Sequence, residues 1–141
     1  MMTRVFVDTN ILIYSLDTEE PKKQEIADKL IAELLLKNEI ILSSQNLAEF
    51  SKVLLEQTDP PQNPENVLSY VYAFMKLATI VNYSQETVVR AITIKKEYKI
   101  HFFDALLVAT MQENGIDKIL TENTKDFKKI PWLEVRNPFV E

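Results

Sequence analysis

The sequence predicts an α/β domain in which helices cover both faces of a mainly parallel sheet of four to five strands, a three-layer α/β/α arrangement. Short runs rich in β-branched and aromatic residues alternate with longer segments whose apolar residues recur at helical spacing. The chain has 141 residues, of which 46% are hydrophobic and 26% charged. This size and balance are typical of one globular domain, so we expect a single domain over residues 1–141.

Short apolar runs are predicted to form the strands. They are Arg4–Val7, Glu39–Leu42, Ala78–Val81 and Lys118–Thr121, with Leu133–Val135 as a possible edge strand. Aliphatic and aromatic side chains of this kind pack well on a buried sheet. Parallel strands need long crossover connections, so helices are expected between them.

Segments with helical periodicity fill the gaps between these runs. The predicted helices are Ile11–Leu16, Pro21–Lys37, Gln45–Leu55, Asn66–Met75, a helix that begins at Ser84, and Phe103–Glu113. Ser43 or Ser44 can cap the third helix, and Asn114-Gly115 is typical of a left-handed C-cap. The proline-rich stretch Thr58–Pro64 predicts a stiff loop.

The residue types that are scarce exclude several kinds of chemistry. The chain has no cysteine, one histidine (His101) and one glycine (Gly115). Thiolate nucleophiles, disulfides and Cys/His zinc sites are therefore excluded, as are glycine-rich phosphate loops. A Ser-His-Asp arrangement could use His101, but no serine lies in a G-x-S-x-G setting. His101 is instead predicted to be a surface or helix-start residue.

The charge and hydropathy bear on partners and location. The net charge is −5, which is unusual for a protein that binds nucleic acid. Basic residues are nevertheless grouped at Lys95, Lys96 and Lys99 and at Lys125, Lys128 and Lys129, either as phosphate contacts or as solvated faces. No apolar run reaches the ~18 residues of a membrane span. The N-terminal residues lack a basic segment followed by an apolar core, so we expect no signal peptide. We expect a cytoplasmic protein with no membrane contact.

Four acids lie near the predicted strand ends. Asp8 directly follows the first strand, Asp126 lies in the polar turn after the strand Lys118–Thr121, and Glu49 and Asp104 lie on predicted helices. The carboxyl ends of parallel strands form the ligand crevice of such sheets, so these side chains can converge and hold divalent metal ions. Simpler roles are also open for each acid. Asp8 could cap a helix, Asp104 could favour a helix N-terminus, Glu49 could be solvated and Asp126 could close a turn.

The motifs around these acids resemble the PIN-domain ribonucleases, particularly VapC-type toxins. They are Asp8-Thr9-Asn10-Ile11-Leu12, Asn46-x-x-Glu49, Asp104-Ala105-Leu106 and Thr121-Glu122-Asn123-Thr124-Lys125-Asp126-Phe127. The resemblance covers nearly the whole chain. It implies a metal-dependent endoribonuclease fold, often dimeric and often inhibited by a cognate antitoxin.

The resemblance also implies roles for individual residues. Asp8 and Asp104 would be the principal ligands of Mg²⁺ or Mn²⁺, Glu49 would complete the cluster directly or through water, and Asp126 would be the fourth acid. Glu122 and Asn123 are alternatives to Asp126. Supporting polar roles fall to Asn10, Asn46, Thr121 and Asn123.

The leading hypothesis is a metal-dependent endoribonuclease that hydrolyses RNA, the toxin of a toxin–antitoxin pair and a homodimer. A catalytically silent PIN-like module that binds RNA or protein is the alternative. A phosphatase-type hydrolase with Asp8 as nucleophile is a third reading, but Asn10 stands where that mechanism needs a second acid. Phe102 and Phe103 are predicted to belong to the core rather than to a base-stacking surface.

Overall fold

A computed structural model describes residues 4–140 and has the predicted α/β/α architecture. Residues 1–3 and 141, which the predicted domain 1–141 includes, lie outside the described residues. The elements in chain order are β1 (Val5–Val7), α1 (Thr9–Tyr14), α2 (Pro21–Leu36), β2 (Ile40–Ser43), α3 (Ser44–Lys52), α4 (Pro64–Leu77), β3 (Thr79–Val81), α5 (Gln85–Tyr98), α6 (Phe102–Glu113), β4 (Lys118–Leu120), α7 (Thr124–Phe127) and β5 (Glu134–Arg136). A π-helical turn, Val53–Gln57, extends α3.

The sheet has five strands in the order β3-β2-β1-β4-β5, and every neighbouring pair is parallel. The chain moves outward from β1 through β2 to β3, and later continues on the other side of β1 with β4 and β5. The strand order therefore reverses between β1 and β4. In open α/β sheets, this reversal creates a crevice beyond the carboxyl ends of the strands.

Successive side chains along the strands point to opposite faces of the sheet and pack into two separate cores. Phe6 and Ile41 pack with α5 and α6 on one face of the sheet, whereas Val7 and Leu42 pack with α1 to α4 on the other. This alternation follows from the two-residue period of a strand. Because helices cover both faces of the sheet, the strands consist mostly of apolar residues, as is usual in parallel sheets.

The helices depart from the prediction most clearly at Pro64 and at α7, and the other helix ends lie within three residues of the predicted ones. Pro64 does not belong to the loop but begins α4, where the Asn63 side chain caps the helix by accepting from the Asn66 N–H at 2.9 Å. Proline suits a first helical turn because its missing N–H is not needed there. The short helix α7 lies where a polar turn was expected, whereas Gly115 has the predicted left-handed conformation with φ +67°. Among residues 4–140, no helix combines the length and apolarity needed to cross a membrane.

Candidate active site

Asp8 lies at the centre of the crevice, directly after β1. Its backbone N–H donates to Leu120 O of β4 at 2.9 Å, and Thr121 donates its hydroxyl to Asp8 Oδ2 at 2.8 Å. Asn10 Nδ2 lies 3.3 Å from both Asp8 Oδ2 and Thr121 Oγ1. These bonds hold Asp8, which is 8% exposed, between the two strands where the strand order reverses.

Glu49 reaches the same crevice from α3, the helix that follows β2. Ser43 caps this helix by accepting from the Asn46 N–H at 3.0 Å. The buried Asn46 side chain donates from Nδ2 to Thr9 Oγ1 at 2.9 Å, and Thr9 Oγ1 donates to Glu49 Oε1 at 3.2 Å. The Thr9 hydroxyl therefore connects the start of α1 to Glu49.

Asp104 enters from the first turn of α6 and lies beside Asp126 and His101. One candidate ligand atom from each of these three residues lies within 4.8 Å of the others. Asp126, which is 4% exposed, accepts from the His101 backbone N–H at 2.9 Å and lies 2.7 Å from His101 Nδ1. Two contacts with His101, which precedes α6, thus hold Asp126 on this side of the crevice.

The carboxyls that face the crevice are harder to ionise than free ones. Burial raises the pKa of Asp8 despite three hydrogen bonds that oppose the change, and burial together with the Asp8 charge raises the pKa of Glu49. Burial, a hydrogen bond with Asp126 and the Asp8 charge raise the pKa of Asp104 to about 7. Although burial acts to raise it, hydrogen bonds from His101 and Asp104 lower the pKa of Asp126 to about 2. Asp8, Glu49 and Asp104 therefore share one electrostatic environment.

These three carboxyls line one open pocket of about 500 Å³, which we call the acid pocket. Its lining includes Asp8, Asn10, Glu49, Asp104 and Asn123. Asp126 does not contribute to this lining and reaches the pocket only through its contact with Asp104. The structure thus brings three of the four predicted acids into direct contact with one space.

Glu122 and Asn123, the alternatives to Asp126, take different positions. Glu122 accepts from Tyr14 Oη at 2.7 Å and from Lys23 Nζ at 2.6 Å, so its carboxylate is neutralised by a neighbouring cation. Asn123 lines the acid pocket. Of the two alternatives, Asn123 is the one that can offer a polar contact there.

The simpler roles predicted for Asp8 and Asp104 are also present. Asp8 is the N-cap of α1 and accepts from the Thr9 N–H at 2.8 Å, and Asp104 lies in the first turn of α6. Capping explains where each acid stands in its helix. It does not require several acids from separate elements to face one another at the end of the sheet.

Two contacts in the site were not predicted from the sequence. The contact of Thr9 with Glu49 is one of them. Thr9 was noted only as part of a motif, and its place directly after Asp8 was the available signal. His101 immediately precedes α6, as expected, but its contact with Asp126 joins residues 25 positions apart. No local pattern encodes that pairing.

The donor set of the acid pocket fits a hard divalent cation. Its carboxylate and amide oxygens are the ligand atoms that Mg²⁺ and Mn²⁺ prefer. The charge of Asp8 contributes to the raised pKa values of Glu49 and Asp104. A cation bound among these carboxyls would offset that repulsion. The acid pocket is therefore a candidate metal centre.

The chain matches the family model of the PIN domain over residues 5–133. It belongs to the PIN domain family. Comparison with curated proteins gives no match.

Several solved structures share the fold over almost the whole chain. A structure described as FitAB bound to an IR36 DNA fragment is 20% identical with a TM-score of 0.75, covering 97% of this chain and 96% of its own. A toxin–antitoxin complex from Klebsiella pneumoniae is 26% identical with a TM-score of 0.67, covering 96% and 98%. VapC20 from Mycobacterium tuberculosis, described as a Sarcin-Ricin loop cleaving toxin, is 16% identical with a TM-score of 0.66, covering 88% and 93%.

Proposed function

We propose that this PIN-domain chain is an endoribonuclease that depends on Mg²⁺ or Mn²⁺. The observation that carries the proposal is the meeting of Asp8, Glu49 and Asp104 in the acid pocket, where the strand order reverses. The description of the structural neighbour VapC20 as a toxin that cleaves the Sarcin-Ricin loop supports RNA as the substrate.

Each acid has a distinct proposed role. Asp8 and Asp104 are the principal metal ligands, and Glu49 completes the cluster directly or through water. Asp126 is the fourth acid, and it acts through its contacts with Asp104 and His101 rather than from the wall of the acid pocket. When bound, the ion would activate a water molecule and offset the negative charge that develops on the phosphodiester.

The remaining polar residues position these ligands. Thr121 and Asn10 fix the Asp8 carboxylate by hydrogen bonds, and Asn46 orients the Thr9 hydroxyl toward Glu49. Such supports hold ligands in place before the cation and substrate arrive. Asn123 offers its amide to the acid pocket.

By analogy with the PIN-domain ribonucleases, hydrolysis of the RNA would leave a 5′-phosphate and a 3′-hydroxyl.

The lysine groups supply a surface for the RNA backbone despite the net charge of −5. Lys129 Nζ donates to Lys99 O at 3.3 Å, so the group that ends α5 and the group around α7 lie side by side. They flank the His101–Asp126 contact. We infer that phosphates enter the acid pocket from this basic side, which would make binding sensitive to salt.

The neighbouring structures support a proposal about the partners of this chain. A toxin–antitoxin complex is among them, together with a FitAB complex on DNA. We propose that the chain is the toxin of such a pair, is bound by a cognate antitoxin, acts as a homodimer and works in the cytoplasm. Coexpression with the protein encoded beside its gene tests the antitoxin part, because a cognate antitoxin would copurify and suppress cleavage.

The decisive experiment is an RNA-cleavage assay with and without Mn²⁺. We expect cleavage by the native protein with Mn²⁺, none in EDTA, and none by Asp104→Asn in either condition. Asp28→Asn, which replaces an exposed acid of α2, is the matched control and should cleave normally. RNA binding without turnover in the native protein would replace the enzyme with the silent PIN-like module. Equal cleavage by Asp104→Asn and Asp28→Asn would reject the acid pocket as the active site.

A further inference from the structure

A second pocket of about 560 Å³ adjoins the acid pocket and shares Glu49 and Val53 with it. We call it the aromatic pocket. Its lining includes Gln45, Glu49, Lys52, Tyr83 and Phe103. The proposed hydrolysis uses Glu49 but gives no role to the other four residues.

Two aromatic rings of the aromatic pocket are open to solvent. Phe103 is 63% exposed and Tyr83 is 45% exposed, so the prediction that Phe103 belongs to the core is wrong. The reason is its position: α6 buries the run from Ala105 to Met111, and Phe103 precedes that run. Its ring contacts Phe102 edge-on, with centroids 5.4 Å apart, which leaves aromatic surface free for another partner.

The polar residues of the aromatic pocket favour a nucleotide over an apolar ligand. Among the described residues, Lys52 supplies the one positive charge in the lining of this pocket, and it can contact a phosphate. Gln45, which is 8% exposed, donates from Nε2 to Phe103 O at 3.1 Å. Its Oε1 is buried and accepts no hydrogen bond from residues 4–140. A buried acceptor without a donor is unfavourable, so a ligand N–H that reached it would be stabilising.

We propose that the aromatic pocket binds a nucleobase of single-stranded RNA next to the phosphate held at the acid pocket. This inference rests on the proposed function and deepens it. Phe103 and Tyr83 provide the stacking faces, and Lys52 contacts the adjoining backbone. Every base has a π-face, so stacking itself adds little sequence preference.

The test measures binding without turnover. A labelled short oligouridine is titrated by fluorescence anisotropy into the Asp104→Asn protein, which we expect to keep its fold and the aromatic pocket but not to cleave RNA. Introducing Phe103→Ala into the Asp104→Asn protein should raise the Kd for oligouridine by roughly 5- to 150-fold, the range for loss of one base–aromatic stack. Tyr72→Ala is the matched control, because Tyr72 is also 63% exposed but lies on α4. It should leave Kd unchanged.

Further measurements separate stacking from a general structural effect. Phe103→Tyr should keep the affinity, and an oligonucleotide with abasic positions should bind the Phe103→Ala protein no more weakly than oligouridine does. In the cleaving background, Phe103→Ala should raise KM more than it lowers kcat. Equal Kd values for Phe103→Ala and Tyr72→Ala would overturn the proposal and leave the pocket as a protein-docking surface. Failure of Phe103→Tyr to retain binding would also overturn it.

The two proposals fail in distinguishable ways. If the native protein does not cleave RNA with Mn²⁺ but Phe103→Ala still weakens binding, the ribonuclease proposal fails and the base site stands. If the native protein cleaves RNA and Phe103→Ala changes neither Kd nor KM, only the base site is rejected. If the Asp104→Asn protein binds no RNA at all, the base site is also rejected.

Discussion

Replacement of Asp104 by asparagine is expected to stabilise the metal-free protein at neutral and higher pH. Burial, a hydrogen bond with Asp126 and the Asp8 charge raise the Asp104 pKa from 3.8 to about 7, so the folded protein disfavours the ionised side chain. Asparagine has the shape of the neutral acid and can still donate to Asp126. Asparagine does not ionise, so the variant avoids the cost of a buried negative charge at this position.

The magnitude follows from the same pKa. The interval from 3.8 to about 7 sets an upper limit of ~4 kcal/mol on the destabilisation, because each tenfold change in proton affinity is worth ~1.4 kcal/mol. Asp104 is partly exposed, and solvent screening reduces the expected effect to ~1–2 kcal/mol. The folded state binds this proton more tightly than the unfolded chain does. The stability that this tighter proton binding contributes is therefore complete below about pH 4 and is lost as the pH rises through about 7.

Urea unfolding in EDTA at about pH 5 and about pH 8 measures this effect. The free energy of unfolding of Asp104→Asn should exceed that of the native protein by ~1–2 kcal/mol at the higher pH, and by less at the lower pH. Asp28→Asn should stay within ~0.5 kcal/mol of the native protein at both. A difference for Asp104→Asn that does not change with pH, or a loss of stability at the higher pH, would refute the reasoning.

Three further outcomes test other parts of the structure. Thr121→Val removes the hydroxyl that donates to Asp8 at 2.8 Å and should cost ~1–3 kcal/mol in urea unfolding while weakening Mn²⁺ binding; unchanged Mn²⁺ affinity would contradict its positioning role. Phe50→Ala empties a fully buried site in the core between α3 and α4 and should cost ~3–5 kcal/mol; a loss below ~1 kcal/mol would contradict that packing. Because a proton competes with the cation for Asp104, whose pKa is about 7, calorimetry should find Mn²⁺ affinity falling up to roughly tenfold per pH unit below pH 7; a flat profile would argue against Asp104 as a ligand.

The fold was predictable because its signals are local. The β-branched runs and the helical periodicity each report on a few neighbouring residues, and parallel strands joined by helices allow few arrangements. Phe6 and Val7, adjacent in sequence, enter opposite cores because a strand alternates its side chains. The start of α4 at Pro64 was missed because proline within a proline-rich stretch reads as a loop unless the Asn63 cap is recognised.

The site was predictable only in part because its details depend on contacts between distant segments. The positions of Asp8 and Asp104 follow from strand ends and helix starts, so their meeting could be expected. The pairing of Asp126 with His101 joins α7 to the residue before α6, and no spacing in the sequence reports it. The exposure of Phe103 depends on how α6 is rotated against the sheet, which periodicity does not fix for a residue in the first turn.

The most direct test of the account is the location of Mn²⁺ in crystals of the native protein, found by its anomalous scattering. We expect a peak in the acid pocket within ~2.0–2.3 Å of carboxylate oxygens of both Asp8 and Asp104, and no peak in crystals of Asp8→Asn. A peak bound by His101 and Asp126 but remote from Asp8, or no peak at saturating Mn²⁺, would contradict the claim that these acids form the metal centre.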